Sequence, residues 1–249
     1  MRKFGIILKS AGIVAVLLLI KWIVYRFDGE IVIANPVVTA LVAGVIFTIA
    51  IIFSGVLADY KESEKIPGEL AAILKSLYND TNLLAAKDEK TRKDLRAHIK
   101  DLLRIIVTNF KSNSWPLDEI NPAINHVVDD INSLAREGVA PPFVVKMRND
   151  LAGIDKISYR IKIIMETSFI PVAYYIAIIS TGAVLVILLC TKMEHYHDSL
   201  LLFGSVSFIL ISLLMLIKDM DNPFEYGKKT SADIDLSVLF NLDKELENR

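Results

Sequence analysis

Hydrophobicity in this chain is concentrated in four runs, each close to the length of a membrane-spanning helix. The runs form two pairs, which a long polar segment separates: Ile13–Tyr25 with a leading Phe4–Leu8, Val37–Leu57, Phe169–Cys190 and Leu200–Ile217. A span needs about 20 mostly apolar residues, because about 30 Å of hydrocarbon is crossed at about 1.5 Å per residue. The pattern predicts an all-α integral membrane protein with four transmembrane helices, in a 2 + 2 arrangement around a helical domain.

The same boundaries predict four parts of the chain. We expect a first transmembrane pair at residues 1–58, a cytoplasmic helical domain at 59–166, a second transmembrane pair at 167–218 and a cytoplasmic tail at 219–249. Apolar residues in the polar segment recur at helical spacing, which is typical of a packed helical bundle. We predict helices that begin near Gly68, cover Thr91–Phe110, run from a capping Asp118 through Arg136, and open at Pro141.

Basic residues near the span ends predict the orientation, since Lys and Arg accumulate in short cytoplasmic loops. Arg2, Lys3 and Lys9 place the N-terminus inside, whereas Arg26–Glu30 carries one Arg against two acids and is expected outside. The loop Thr191–Ser199 has one Lys and is also expected outside. Both termini and the polar domain are therefore predicted to be cytoplasmic.

Composition and motifs argue against several functions. The net charge of −1 gives no global basic character for binding nucleic acid. The single Cys190 excludes an intrachain disulfide framework or a cysteine metal cluster. The sequence has no glycine-rich phosphate loop and no His-Glu-x-x-His motif, so we predict no enzyme and no firm metal site. His195 and His197 could be two metal ligands in a short loop, but no Cys or further His lies near them in the sequence. His98 and His126 lie on predicted helices.

A membrane enzyme would need a polar cluster within the spans, and the candidates for one lie in the first run. Lys9, Ser10 and Lys21 are the candidates for a membrane enzyme, but they are poorly placed to face one another. We expect Lys9 and Lys21 to extend their ammonium groups to the two membrane interfaces.

An acidic cluster follows the fourth run. Its oxygen-bearing side chains are Asp219, Asp221, Asn222 and Glu225, which are ligand types that calcium prefers. The loop lacks the alternating acids and the central glycine of an EF-hand, which weakens the interpretation as a calcium site. The alternative interpretation is that these charges mark the point where the helix leaves the lipid.

The second run carries two neighbouring stripes. One consists of Ala40, Gly44 and Thr48, and the other of Thr39, Ala43, Phe47 and Ile51. Small residues at four-residue spacing indicate close helix packing. In an oligomer the same face could line a pore, with Phe47 or Ile51 as a hydrophobic constriction that gates by dewetting.

The layout and two flanking segments resemble the bestrophin superfamily, in particular bacterial bestrophin-like proteins. The segments are Tyr60–Leu70 after the second run and Asp221-Asn222-Pro223-Phe224 after the fourth. The resemblance implies a pentamer in a bacterial inner membrane that passes ions through a central pore, with the second span as its neck. The neck aligns on Ala40, Gly44 and Thr48, or after a one-residue slip on Thr39, Ala43 and Phe47.

The resemblance leaves three points open. Bestrophins bind calcium through a dense acidic run, whereas Glu225–Lys229 is mixed in charge here. The family includes anion- and cation-selective members. A membrane-anchored scaffold or sensor that conducts nothing is the alternative function.

The C-terminal tail also has apolar residues. In bestrophins the equivalent tail wraps neighbouring subunits, and we predict that Ile234, Leu236, Leu239 and Phe240 pack on the helical domain.

Overall fold

The computed structural model describes residues 4–82, 89–166, 171–227 and 232–248. These residues are mostly helical, as predicted, with two short strands. The elements are α1 (Gly5–Arg26), β1 (Val32–Ile33), α2 (Pro36–Ser63), α3 (Ile66–Asp80), α4 (Glu89–Ser112), α5 (Leu117–Arg136), α6 (Pro141–Glu166), α7 (Pro171–Leu189), β2 (Thr191–Lys192), α8 (Tyr196–Met220) and α9 (Ser237–Glu247).

Four helices carry apolar segments long enough to cross a membrane: α1, α2, α7 and α8. The predicted third span begins at Phe169, which lies outside the described residues, and α7 itself starts at Pro171. Their length and composition indicate a membrane protein.

The chain divides into two compact units. The first, called the apolar unit, comprises the described residues of 1–60, 168–223 and 229–232. The second, called the polar unit, comprises those of 61–167, 224–228 and 233–249.

The core of the apolar unit is centred on α8. α1 packs along α8, and α7 packs on it as well. A Cβ added at Gly204 of α8 would lie 3.4 Å from Leu18 Cδ2, an ordinary van der Waals contact, so Leu18 of α1 lies close to α8 at this glycine. Phe203 and Leu210 of α8 are buried in one apolar cluster with Val184 of α7, to which α2 also contributes.

The short connections of the apolar unit meet at one end. β1 and β2 pair in parallel, with Val32 opposite Thr191. The amide of Val32 donates to the carbonyl of Cys190 (3.0 Å), and the amide of Ala34 donates to that of Lys192 (3.2 Å). The loop after α1 is therefore bound to the loop after α7.

The polar unit is a bundle in which α4 packs on α5, α5 on α6, and α6 on α3. The predicted apolar stripe of α4 is buried, which confirms it as core: Leu95, Ile99, Leu102, Leu103, Ile106 and Val107. Trp115, between α4 and α5, donates from Nε1 to the carbonyl of Ser158 on α6 (2.9 Å) and packs on Phe110. Deep apolar stripes and this buried hydrogen bond hold the bundle together.

Polar contacts also join α3 to α6. The ammonium of Lys146 on α6 contacts the carboxylate of Asp80, donates to Ser76 Oγ (2.8 Å), and lies 3.2 Å from Asp150. The hydrogen bond that the Lys146 ammonium donates to Asp80 raises the pKa of Lys146, against an opposing effect of burial.

The C-terminal segment of the chain docks on α3 and α4 through α9. Ile234, Leu236 and Leu239 are buried, and the Lys111 ammonium lies 5.1 Å from the centre of the Phe240 ring. Lys75 pairs with Glu245 (3.1 Å) at the rim. The prediction that these apolar residues pack on the helical domain is confirmed for the domain of the same protomer.

Two predicted helix starts differ from the structure. α3 begins at Ile66 rather than Gly68, with Pro67 in its first turn, where the missing amide hydrogen costs nothing. Asp118 does not cap α5: the helix starts at Leu117, and its N-cap Pro116 makes no side-chain hydrogen bond. Asp118 lies in the first turn, where a carboxylate interacts favourably with the helix dipole.

Candidate functional site: one face of the second helix

The start of α2 is fixed by its own sequence. Asn35 Oδ1 accepts hydrogen bonds from the amides of Val37 (2.9 Å) and Val38 (3.1 Å), two groups that have no partner within the helix. Pro36 follows as the first helical residue, a position that suits its fixed backbone angle. The beginning of the candidate pore helix is thus defined locally.

One face of α2 packs against its own protomer. Val45, Ile49 and Val56 are buried in the core that α7 and α8 form. Their spacing of four and seven residues keeps them on one side of a helix with 3.6 residues per turn. This face fixes the rotation of α2 in the apolar unit.

The opposite face of α2 is uncovered within the protomer. Phe47 is 67% exposed and Ile51 58% exposed, and both lie on the side away from Val45 and Ile49. Thr39, Ala40, Ala43 and Gly44 are exposed too. Among the residues that the structure describes, no heavy atom lies within 4 Å of a Cβ added at Gly44. The small residues of this stripe therefore do not serve close packing inside one protomer.

The structure distinguishes the two predicted stripes by rotation. At about 100° per residue, Ala43, Phe47 and Ile51 lie opposite the buried face of α2. Thr48 is turned towards the protomer core and is only half-exposed. Its hydroxyl donates to the carbonyl of Gly44 (2.9 Å), so its donor is satisfied within the helix.

A buried ion pair lies at the end of the apolar unit that carries β1 and β2. Lys21 of α1 is fully buried, and its Nζ lies 2.5 Å from Oε1 of Glu30. Nζ also donates to the carbonyls of Leu188 (3.2 Å), Leu189 (3.0 Å) and Thr191 (2.7 Å). Lys21 is buried here because α7 ends beside it and offers carbonyls that lack helical partners. The expected position of its ammonium at a membrane interface stays a prediction.

Neighbouring side chains complete this cluster. The hydroxyl of Ser199 donates to the same Thr191 carbonyl (3.3 Å), and Tyr25 stacks on Tyr196 with ring centres 4.0 Å apart. The available sequence signal was a lysine inside an apolar run followed by an acid in the next loop. Ser10 does not join this cluster; its hydroxyl lies 3.4 Å from the sulfur of Met215.

The predicted cation ligands are not assembled as a metal centre in the described part of the chain, where no group of three or more His, Cys, Asp or Glu side chains is placed to hold a metal ion. Asp219 Oδ2 accepts a hydrogen bond from the amide of Ala232 (3.1 Å), and Asn222 Oδ1 is buried. Calcium binding by Asp219, Asp221, Asn222 and Glu225 stays a prediction.

The histidines differ in their surroundings. His98 Nδ1 lies 2.6 Å from Asp130 Oδ2, and its ring meets the edge of His126 with centres 5.3 Å apart. The sequence did not reveal this contact between α4 and α5. His195 and His197 are exposed at the start of α8.

The sequence matches the bestrophin-like domain over residues 11–227. The chain belongs to the bestrophin-like family. The resemblance inferred from the flanking segments is thereby confirmed. No curated protein matches this bestrophin-like chain.

Solved structures show the same fold. A bacterial Bestrophin homolog from Klebsiella pneumoniae is similar with a TM-score of 0.79 and 11% identity, covering 97% of each chain. A mutant form of that homolog gives a TM-score of 0.81 at 11% identity, covering 98% of this chain and 97% of the other. A structure described as a membrane protein gives 0.80 at 11% identity, covering 98% of both chains.

Proposed function

We propose that this bestrophin-like protein is a homo-oligomeric ion channel, a pentamer, in which α2 lines the axial pore and ions pass passively. The observation that carries the proposal is the uncovered, uncharged face of α2 around Ala43, Phe47 and Ile51. Membership of the bestrophin-like family supports an ion channel. In the protomer, the packing of α2 leaves this face exposed, so it is available to line a central pore.

The alternative scaffold function would be favoured by a closed bundle that buries Ala40, Gly44 and Thr48 within one protomer. Ala40 and Gly44 are instead exposed, and α2 has a smaller buried share than α1, α7 or α8. A stripe of small residues permits close approach between helices of different copies. The exposure of this stripe therefore supports self-association over a solitary bundle.

The chemistry of the face supports a hydrophobic gate. Phe47 and Ile51 are one helical turn apart, so in a ring of copies they would form two successive apolar constrictions. Narrow apolar segments control conduction by losing water. Val37–Leu57 has no charged residue, so ion selectivity would be set at the mouths of the pore.

The proposed setting is a bacterial inner membrane, with four spans and with both termini and the polar unit in the cytoplasm. Its partners are further copies of itself, the lipid bilayer and the permeant ions. The orientation follows from the excess of Lys and Arg beside the ends of the spans that are taken as cytoplasmic. No catalytic chemistry is part of the proposal.

Two measurements on the intact protein test the proposal. Mass determination in mild detergent should give five copies, and reconstituted vesicles should show passive ion flux that scales with the amount of protein. A monomer in mild detergent together with vesicles that stay impermeable to cations and anions, with and without calcium, would refute the channel.

A further inference from the structure

A small cavity lies in the apolar unit, away from the uncovered face of α2. Its volume is about 200 Å³, and its walls come from α2, α7, α8 and the residues after α8. The lining residues are Ile52, Pro171, Tyr174, Tyr175, Ile217, Lys218 and Asp221. The cavity thus combines an apolar wall, two phenol rings and one charge of each sign.

The cavity lies where the apolar helices end. Lys218 directly follows the last apolar residue of the fourth run, Ile217, and Pro171 is the first residue of α7. Ile52 lies five residues before Leu57, the end of the second run, and therefore about 8 Å inside it. The cavity consequently extends from the hydrocarbon edge to the level at which lipid headgroups lie.

The charges of the lining select among ligands. Lys218 is exposed, as expected of an ammonium that binds phosphate at a membrane surface, and Asp221 is half-buried. A carboxylate at this site disfavours a purely anionic headgroup and favours a ligand that also carries a cation. Two tyrosine rings beside that carboxylate favour an ammonium group further, through their electron-rich faces.

Size and position narrow the ligand again. Sites that enclose a whole drug-sized ligand measure about 300–1,000 Å³, so this smaller cavity fits a headgroup and leaves the acyl chains in the bilayer. A primary ammonium can donate hydrogen bonds to Asp221, which the quaternary ammonium of a choline headgroup cannot do.

From these observations we infer that the cavity binds the headgroup of phosphatidylethanolamine. Its phosphate pairs with Lys218, its primary ammonium with Asp221 beside Tyr174 and Tyr175, and its acyl chains run along Ile52 and Ile217. The bound lipid connects α2 to α7 and α8 on the side opposite the uncovered face. Lipid binding in this cavity does not require the channel to conduct.

The test is the thermal stability of the delipidated full-length protein in detergent, titrated with single lipids. Phosphatidylethanolamine should raise the melting temperature at lower concentration than phosphatidylcholine or phosphatidylglycerol of the same chains. Free phosphoethanolamine at the same concentration should have little effect, because it has no chains to place along the apolar wall.

Variants locate the site. Lys218→Gln and Asp221→Asn should each raise the lipid concentration needed for half the effect by about tenfold, since each removes one charge-assisted contact. Lys192→Gln and Glu194→Gln remove exposed charges near β2 and serve as matched controls that should bind as the wild type does. Native mass spectrometry of retained lipid gives a second readout if a variant melts at a lower temperature by itself.

Three results would overturn the inference. An equal effect of phosphatidylglycerol would remove the role of the ammonium, and an equal effect of free phosphoethanolamine would indicate a soluble ligand. Unchanged binding in Lys218→Gln and Asp221→Asn would place the lipid elsewhere. Because ion flux is measured separately, a silent bilayer with selective lipid binding would refute the channel and leave this site intact.

Discussion

The ammonium of Lys21 lies 2.5 Å from the carboxylate of Glu30, and both side chains are almost completely buried. The same ammonium donates hydrogen bonds to the last carbonyls of α7, those of Leu188 and Leu189. One lysine thus connects the end of α1, the loop that follows it and the end of α7. Such a group is costly to bury alone, so each partner depends on the others.

Replacing one partner should therefore destabilise the apolar unit strongly. Lys21→Met leaves Glu30 as a buried charge without its cation, and we expect a loss of about 3–5 kcal/mol in the free energy of unfolding. Thermal melting in detergent measures this as a lower transition. Lys9→Met, on the same helix but exposed, is the control and should change little. Equal melting of the two variants would contradict the structural role of Lys21.

The rotation of α2 predicts which substitutions change conduction. Phe47→Ala should increase the ion flux of reconstituted protein, because it widens an apolar constriction and lets water enter more readily. Leu201→Ala removes a similarly exposed apolar side chain from α8 and should leave flux unchanged. A flux that responds equally to both substitutions would argue against an axial position for Phe47.

Replacing the buried Trp115 should lower the stability of the protein more than replacing the exposed Trp22. Trp115→Phe removes the hydrogen bond to the Ser158 carbonyl and leaves unfilled space in the core of the polar unit. We expect a cost of about 2 kcal/mol in the free energy of unfolding. Trp22→Phe, at a residue that is 53% exposed, is the matched control. Thermal melting followed by circular dichroism compares the two, and equal transitions would show that the Trp115 contact adds nothing.

The raised pKa of Lys146 predicts that the folded protein loses a small part of its stability at alkaline pH. Its hydrogen bond to Asp80 favours the charged form in the folded state, so its contribution is complete below the ordinary lysine pKa of 10.5 and is lost as the pH rises through the higher folded value. The side chain is 46% exposed, so the contribution is below about 1 kcal/mol. Lys146→Gln should lower the melting temperature at neutral pH but not at strongly alkaline pH. A constant difference between the two proteins at both pH values would exclude this titration.

The amphipathic pattern predicted the helices of the polar unit well, because apolar spacing alone determines which face of α4 is buried. The rotation of α2 about its axis was harder to predict, because a helix that is apolar all round gives no sequence signal for which face is buried. Val45 and Ile49 became the buried face only through their contacts with α7 and α8.

The Lys21 cluster could not be predicted for a related reason. Its carbonyl partners lie 167–170 residues further along the chain, and they are backbone atoms that any residue would supply. Glu30 is close in sequence, but it lies two residues before β1, which pairs with β2 far along the chain. Contacts of this kind follow from tertiary structure and leave almost no pattern in the sequence.

The most direct test of the pore is chemical modification of a cysteine on α2 during a current recording. In a Cys190→Ser background, which removes the single native cysteine, Phe47→Cys is reconstituted in a planar bilayer and treated with a charged methanethiosulfonate reagent. If α2 lines the pore, the current should change at once on modification, while Leu201→Cys in the same background should not respond. A steady current through Phe47→Cys, with modification verified by mass, would contradict the account.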